Sequence, residues 1–428
     1  MSDAGTLCLG IDIGTSGVRI NAIDAAAQVI ATSAVSMPAP RQQGAAIDQD
    51  PDIWWQAVMA VLAQLAKTCD LGKVARIAID GTSGTLLLVD GQGAPRSLGL
   101  MYNDGRAGQA AARIKAVAPS ESGAQGPSAA LAKLLHLLPD ASSDCRHAVH
   151  QADWIAGRLL GRFDFSDENN ALKLGYDPIG RQWPAWLEQL GVPRHLLPDV
   201  AVPGTNLGTI EAEIAARLGL SSETQICAGT TDGVAAFIAT GAQMPGDAVT
   251  SLGTTLVLKL LSDRPVFAAP QGIYSHRLGD RWLAGGASNS GGAALLAQFD
   301  AARIAELTSQ LDPAHPTGLD YYPLSKPGER FPINDPDLAP RLTPRPASDV
   351  TFFQGMLEGI AEIERSAYAR LTELGAPALR RVISIGGGAS NDAWTQIRQR
   401  HLNVPVTRAR QTEAAYGAAL LALHEGPP

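Results

Sequence analysis

Three segments of the chain carry residue types suited to phosphate chemistry. The first is Asp12 followed by Gly14-Thr15-Ser16-Gly17. A carboxylate at a strand end beside a glycine turn suits Mg²⁺ and phosphate, because glycines let the backbone approach while amides and hydroxyls donate to phosphate oxygens. In isolation an ordinary hairpin turn reads the same way. The device recurs in the second half at Gly253-Thr254-Thr255, and two such turns could grip one polyphosphate. The second segment is Ala228-Gly229-Thr230-Thr231-Asp232-Gly233. Asp232 stands between a short apolar strand and an apolar helix, where it is either a helix cap or a general base for a hydroxyl proton. The third is Gly386-Gly387-Gly388-Ala389-Ser390-Asn391-Asp392-Ala393-Trp394. Its glycines admit a flat ligand, Asn391 can hydrogen-bond and Trp394 offers a stacking face, which suits adenine; a glycine turn with Trp394 in the core is the alternative. A GxGxxG fingerprint fails at Asn391, and Gly72-Lys73 runs into Val74 rather than the Ser or Thr of a P-loop.

The elements that must position these residues read as mixed α/β. Leu7 to Ile23 is two alternating, β-prone runs around the first turn, and Gln28 to Val35 offers a third strand, which together make an antiparallel meander. Asp50-Pro51-Asp52 starts a helix with apolar spacing over Ile53 to Ala66. Val74 to Ile79 is a buried strand leading into Asp80-Gly81-Thr82-Ser83-Gly84-Thr85, with Leu86 to Val89 expected as its partner. The stretch 123–128 reads as loop. Asp247 to Lys259 repeats strand, turn, strand, and hints at duplicated domains. Pro313 to Pro346 reads as an irregular surface excursion, Phe352 to Leu374 as a long helix, Arg381 to Ile385 as a strand and Glu413 to Leu423 as an Ala-rich helix.

Composition narrows the function classes. The chain has 428 residues, 45% apolar and 18% charged, with a formal net charge of −8. That is a globular balance of domain-sized units, and an acidic chain without a basic block is a poor candidate for tracking nucleic acid. No apolar run approaches the ~18–20 residues of a spanning helix, so no membrane partner is expected. The opening Met1-Ser2-Asp3-Ala4-Gly5 lacks the basic start and apolar stretch of a leader. Cys8, Cys69, Cys145 and Cys227 form no CxxC pair, so no zinc cluster is expected; Cys8 and Cys227 lie in apolar strand-like segments and read as buried thiols, in keeping with a reducing cytoplasm.

The motifs, in this order, resemble those of the FGGY carbohydrate kinases, within the sugar kinase, heat-shock chaperone and actin superfamily. Leu9 to Arg19 resembles the first phosphate motif, Val249 to Leu258 the second, Ile383 to Trp394 the adenosine motif and Gly229 to Gly233 the segment of the catalytic Asp. Gln49-Asp50-Pro51 with Trp54-Trp55 resembles the family's early helix. The resemblance implies two RNase H-like (actin-like ATPase) domains with a cleft between them, and covers nearly the whole chain. The expected division is 1–239 for the sugar-binding and catalytic domain, with the final helix 413–428 packing back on it, and 240–412 for the nucleotide-binding domain. It implies Asp232 as catalytic base and Asp12 as a holder of Mg²⁺ and substrate. Gly14, Thr15, Ser16, Gly253 and Thr254 would serve the phosphates of ATP, and Gly387, Gly388, Asn391 and Trp394 the adenine.

Within that family, typical xylulokinases carry Met-His-Gly where this chain has Asp80-Gly81-Thr82-Ser83-Gly84-Thr85. The Thr-Ser-Gly-Thr version resembles the short D-ribulose kinases of bacteria and plants, and makes Ser83 a sugar contact. Asn103-Asp104-Gly105-Arg106 resembles the Asn-Asp-x-Arg sugar segment and makes Asp104 another, although Tyr102 stands where many relatives have Trp. Ser288-Asn289-Ser290-Gly291-Gly292 resembles a loop near the nucleotide; a plain helix-start turn reads the same way. The expected activity is transfer of the ATP γ-phosphoryl group to the terminal hydroxyl of a ketopentose, D-ribulose first, by a cytoplasmic monomer or homodimer. D-xylulose or another polyol is the alternative acceptor, and a non-sugar ATPase of the same superfamily the remote one.

Overall fold

The computed structural model describes residues 5–427. The reading of Met1–Ala4 as no leader lies outside the described residues. The chain divides into two units: Met1–Ala239 with His276–Gly279 and Glu413–Pro428, and Thr240–Ser275 with Asp280–Thr412.

The first unit is built on a six-stranded sheet. Strands β1 (Leu7–Ile13), β2 (Gly17–Ile23) and β3 (Val29–Ser36) form the antiparallel meander. On the other side of β1, β4 (Val74–Gly81) and β5 (Gln225–Thr231) run parallel to it, and Asn206–Thr209 closes the edge. Every residue of β1 is buried, as a central strand covered on both faces requires. One cover is helix α1 (Pro51–Leu65), started by Asp50, whose carboxylate accepts from the Asp52 amide, and by Pro51, which needs no donor there. The other includes the C-terminal helix Ala414–His424, which packs on β1 and on helix α3 of the same unit (Asp232–Ala239; α2 is Ala130–Leu137).

Two glycines make that second cover possible. A Cβ on Gly10 would lie 1.8 Å from the Ala415 carbonyl oxygen, and one on Gly417 would lie 1.9 Å from the Ala235 carbonyl oxygen. Gly10→Ala therefore forces the helix off the sheet, and is expected to cost about 3 kcal/mol. Urea unfolding checks this: the midpoint falls while the slope stays the same.

One expected pairing does not occur. Leu86–Val89 does not pair with β4, because both neighbours of β4 are already β1 and β5. Gly84, with a φ of 86°, turns the chain away, and Leu86–Val89 instead pairs with His147–His150 in a separate five-stranded sheet. That sheet covers a second apolar cluster containing Leu86, Leu88, Leu131 and Leu134.

The second unit repeats the plan. β6 (Asp247–Leu252), β7 (Leu256–Ser262) and β8 (Arg281–Ser288) are antiparallel. β9 (Arg381–Ile385) and β10 (Val406–Arg408) run parallel to β6. Helices α4 (Asp349–Glu373) and α5 (Asp392–Leu402) pack together over this sheet. Both units thus place an antiparallel meander beside parallel strands, the arrangement of two RNase H-like domains. The Pro313 to Pro346 stretch is irregular, as read from sequence, but it is not only a surface excursion. Tyr321, Leu324, Glu329 and Phe331 are all buried, and the Phe331 ring fills the space a Cβ on Gly286 would need.

Candidate active site

In the first unit, three carboxylates gather where strands end. Asp12 and Asp80 are register partners on β1 and β4, and Thr230 on β5 is the partner of Asp80 on its other side. Asp232 opens α3 two residues later, and its Oδ1 accepts from the Gly233 amide at 2.6 Å. Asp80 is fully buried, and burial first, then the charges of Asp12 and Asp232, push its carboxyl well above the usual range. Burial raises Asp12 as well, while the Arg19 guanidinium, 3.5 Å away, favours its charged form. Among the described residues no donor group meets either Asp80 oxygen, and the hydrogen bond with Asp12 adds to the upward push on the Asp80 carboxyl. Asp80 was not singled out from sequence. Its signal was an acidic residue at the end of an apolar strand followed by glycine, much as Asp12 is followed by Ile13-Gly14.

The turn after β1 is closed by the Gly14 amide donating to the Gly17 carbonyl at 3.0 Å, with Thr15 and Ser16 at its tip. The Thr82–Thr85 loop after β4 is fastened from three sides. Gln151 Oε1 accepts from the Thr82 amide (3.1 Å) and hydroxyl (2.8 Å). Lys133 on α2 donates to the Gly84 carbonyl at 2.6 Å, and Lys173 to the Ser83 carbonyl at 3.4 Å. Held this way, the buried Ser83 hydroxyl oxygen has no hydrogen-bond partner among the described residues. A buried hydroxyl without a partner is costly unless something else supplies one.

Asp104 is placed differently. It is fully buried, its Oδ2 accepts from the Ile47 amide at 2.6 Å and Arg106 Nε at 2.8 Å, and its Oδ1 from the Arg106 amide at 3.1 Å. Both oxygens are engaged in holding the 99–106 segment to the neighbouring strand Ala46–Gln49.

Burial, and then the nearby Lys173 charge, push the Lys133 amine down to about 7, with Asp104 opposing and Arg106 adding to the shift. The unfolded amine keeps its ordinary value, so from about pH 7 to about pH 10 the unfolded chain binds a proton the folded chain does not. Stability therefore rises with pH across that window on account of this group. Chemical unfolding near pH 7 and near pH 10 should show the stability difference between wild type and Lys133→Met shifting in favour of wild type as pH rises. A pH-independent difference would contradict the assignment.

In the second unit, the turn Gly253–Thr255 joins β6 to β7, and Gly386–Ser390 follows β9. They adjoin at Leu252: a Cβ on Gly386 would lie 2.9 Å from the Leu252 carbonyl oxygen, and one on Gly388 would lie 2.9 Å from the Leu252 side chain. Gly386, at φ 83°, turns the strand into this loop. Asn391 caps α5, its Oδ1 accepting from the Trp394 amide at 2.9 Å. Trp394 offers no open stacking face. It is 3% exposed, its indole N–H donates to the Leu357 carbonyl at 3.2 Å, and its ring backs Gly388 from the core side.

Beneath both loops lies a network the sequence did not reveal. Arg398 makes a two-pronged bridge to Glu364 at 2.6 and 2.7 Å, and reaches Ser384 on β9 at 2.6 Å. Glu364 also accepts from Thr250 on β6 at 2.6 Å.

Two halves of one family description match the chain in order: the N-terminal domain of the FGGY family of carbohydrate kinases over residues 7–239, and its C-terminal domain over 248–425. The chain belongs to the FGGY family of carbohydrate kinases. As an FGGY kinase it is a phosphotransferase acting on a sugar hydroxyl. A xylulose kinase of Escherichia coli is 26% identical over 91% of this chain and 83% of its own length. The ligand-bound xylulose kinase of Lactobacillus acidophilus superposes with a TM-score of 0.86 at 20% identity, covering 98% of this chain and 89% of that one. The glycerol kinase of Plasmodium falciparum, solved with ADP, gives 0.86 at 17%, with 98% and 89% covered. At these identities the solved structures establish the two-domain kinase fold. No helix among the described residues is long and apolar enough to cross a membrane.

Proposed function

We propose that this FGGY kinase transfers the γ-phosphoryl group of ATP to the terminal hydroxyl of a ketopentose, with D-ribulose as the preferred acceptor. The observation that carries the reading is Asp232 at a helix start beside the Asp12–Asp80 pair. A carboxylate there can orient an attacking hydroxyl and accept its proton, while the buried pair beside it disfavours a further anion and so favours a neutral acceptor group. In phosphoryl transfer most of the protein's task is positioning and charge stabilisation. Thr15, Ser16 and Thr254, with Gly14 and Gly253, are assigned to the phosphates through hydroxyl and amide donors. Gly387 and Gly388 would lie under the adenine, supported by Trp394, with Asn391 fixing the helix start beside it.

The donor set also fits a hard cation. Two adjacent carboxyls, one of them (Asp80) met by no donor among the described residues, suit Mg²⁺, which asks for few protein oxygens when it arrives with a nucleotide. Asp12 would hold it, and when bound it would neutralise phosphate charge. Among the described residues no group of three His, Cys, Asp or Glu is arranged to hold a metal ion by itself.

Ser83 supports the choice of a pentulose. Its unpartnered hydroxyl lies in the loop where this chain departs from Met-His-Gly, and a sugar hydroxyl would complete it. Asp104 would then shape the sugar segment through Arg106 and Ile47 rather than spend its saturated carboxylate on the sugar. D-xylulose is the second reading, favoured by the names of the relatives. A coupled assay of ADP release over D-ribulose, D-xylulose, D-gluconate and glycerol separates them. The expected order puts D-ribulose highest in kcat/KM, and Ser83→Ala lowers that value about tenfold, mostly through KM. Equal turnover of D-xylulose and D-ribulose, untouched by Ser83→Ala, would contradict the assignment.

A further inference from the structure

The irregular stretch of the second unit carries a buried carboxylate that neither phosphate motif contains. Glu329 is 3% exposed, and no Lys or Arg among the described residues forms an ion pair with it. Its charge is met by neutral donors. The Ser288 hydroxyl donates to Oε2 at 2.6 Å, the Asn289 amide to Oε1 at 2.7 Å, the Tyr322 hydroxyl to Oε2 at 3.0 Å and the Arg330 amide to Oε1 at 2.9 Å. Hydrogen bonds to an ionised acceptor are roughly twice as strong as neutral ones and hold geometry tightly. Two further bonds tie the same segments: Asn289 Nδ2 to the Gly328 carbonyl at 3.0 Å, and the Ser290 hydroxyl to the Pro323 carbonyl at 2.6 Å.

What Glu329 fastens is itself fastened to the phosphate turn. The Leu256 amide donates to the Ser290 carbonyl at 2.8 Å. The Gly292 amide donates to the Gly253 carbonyl at 2.8 Å, and the Ala293 amide to the Thr254 carbonyl at 3.0 Å. The contact is close enough that only glycine fits at position 291, where φ is 138° and a Cβ would lie 2.9 Å from the Thr255 backbone. An unbroken series of short bonds thus runs from Glu329, through Ser288–Ala293, to the carbonyls of the turn.

We propose that Glu329 is a positioning residue for nucleotide binding: it sets the Ser288–Gly292 loop, and through it the conformation of the Gly253–Thr255 turn. The inference rests on the reading of that turn as a phosphate site. It gives the irregular stretch a function, as the brace of a nucleotide loop made from residues far away in sequence.

The test uses the full chain and MgADP as probe, with binding read by calorimetry. Glu329→Gln keeps the shape but weakens the acceptor, and Ser288→Ala removes one donor. Each is expected to weaken MgADP binding about tenfold and raise the KM for ATP alike, while the KM for the sugar moves less than about twofold. Because both variants cut the same contact, the double variant should be little worse than either one. If Glu329→Gln fails to fold, Ser288→Ala and Asn289→Ala carry the test with smaller losses. MgADP affinity within about twofold of wild type in the folded variants, or equal rises in both KM values, would overturn the brace. Wild-type protein that binds no MgADP would overturn the phosphate reading of the turn, and the brace with it.

Discussion

Asp232→Ala is expected to lower kcat for sugar phosphorylation by about a thousandfold or more, while MgADP binding stays within about twofold of wild type. The two quantities part because Asp232 is read as acting on the sugar hydroxyl, whereas the Gly253–Thr255 and Gly386–Ser390 loops read as serving the nucleotide belong to the other unit of the chain. General-base help is worth about 10²–10⁴ in rate, and here Asp232 also orients the hydroxyl it deprotonates. Asp232→Asn sharpens the test: it keeps the size and hydrogen-bonding shape but cannot accept the proton, so its loss of kcat should approach that of alanine. If asparagine restored most of the turnover, Asp232 would be an orienting residue or a helix cap, and the base would lie elsewhere. Steady-state kinetics paired with calorimetry decides between these.

Arg398→Met is expected to cost the second unit about 3–5 kcal/mol, because it leaves the fully buried Glu364 without its cation. The bridge is two-pronged and both partners are inaccessible to water, so no solvent takes over the lost contact. The damage should extend to the loops above. Ser384 and Thr250, both held by this network, lie on the strands that lead into Gly386–Gly388 and Gly253–Thr255. Replacing both partners at once, Arg398→Met with Glu364→Leu, should recover much of the loss, since no charge is then left unpaired. Denaturant unfolding of the three variants measures it. A double variant as unstable as Arg398→Met alone would mean that packing, not charge, sets the cost.

Much of the local architecture was legible in the sequence. The meander over Leu7–Ser36, helix α1 with its Asp50-Pro51 start, and the strand before Gly386 all follow from patterns within a few residues. The FGGY motifs were legible for the same reason. What stayed hidden depends on which strand lies beside which. Leu86–Val89 looked like the partner of β4 because it followed a glycine turn, yet parallel pairing with β1 and β5 left it no edge. The Asp12–Asp80 pair exists only through the parallel register of β1 and β4, which no local pattern encodes. The environment of Trp394 was open between ligand and core, and burial over Leu357 places it in the core. Glu329 sits among prolines without periodicity, so neither its burial nor its partners could be read. Gln151 and Lys133 act on the Thr82–Thr85 loop from remote helices, as ordinary polar residues of helical segments.

The most direct measurement of the central claim follows the γ-phosphoryl group itself. Wild-type protein is mixed with γ-labelled ATP, Mg²⁺ and D-ribulose, and the labelled products are separated and the sugar product examined by NMR. The account predicts label on the sugar, at its terminal carbon, with little label as inorganic phosphate, and almost no ATP turnover when sugar is left out. Label appearing as inorganic phosphate at the same rate with and without pentulose would contradict it.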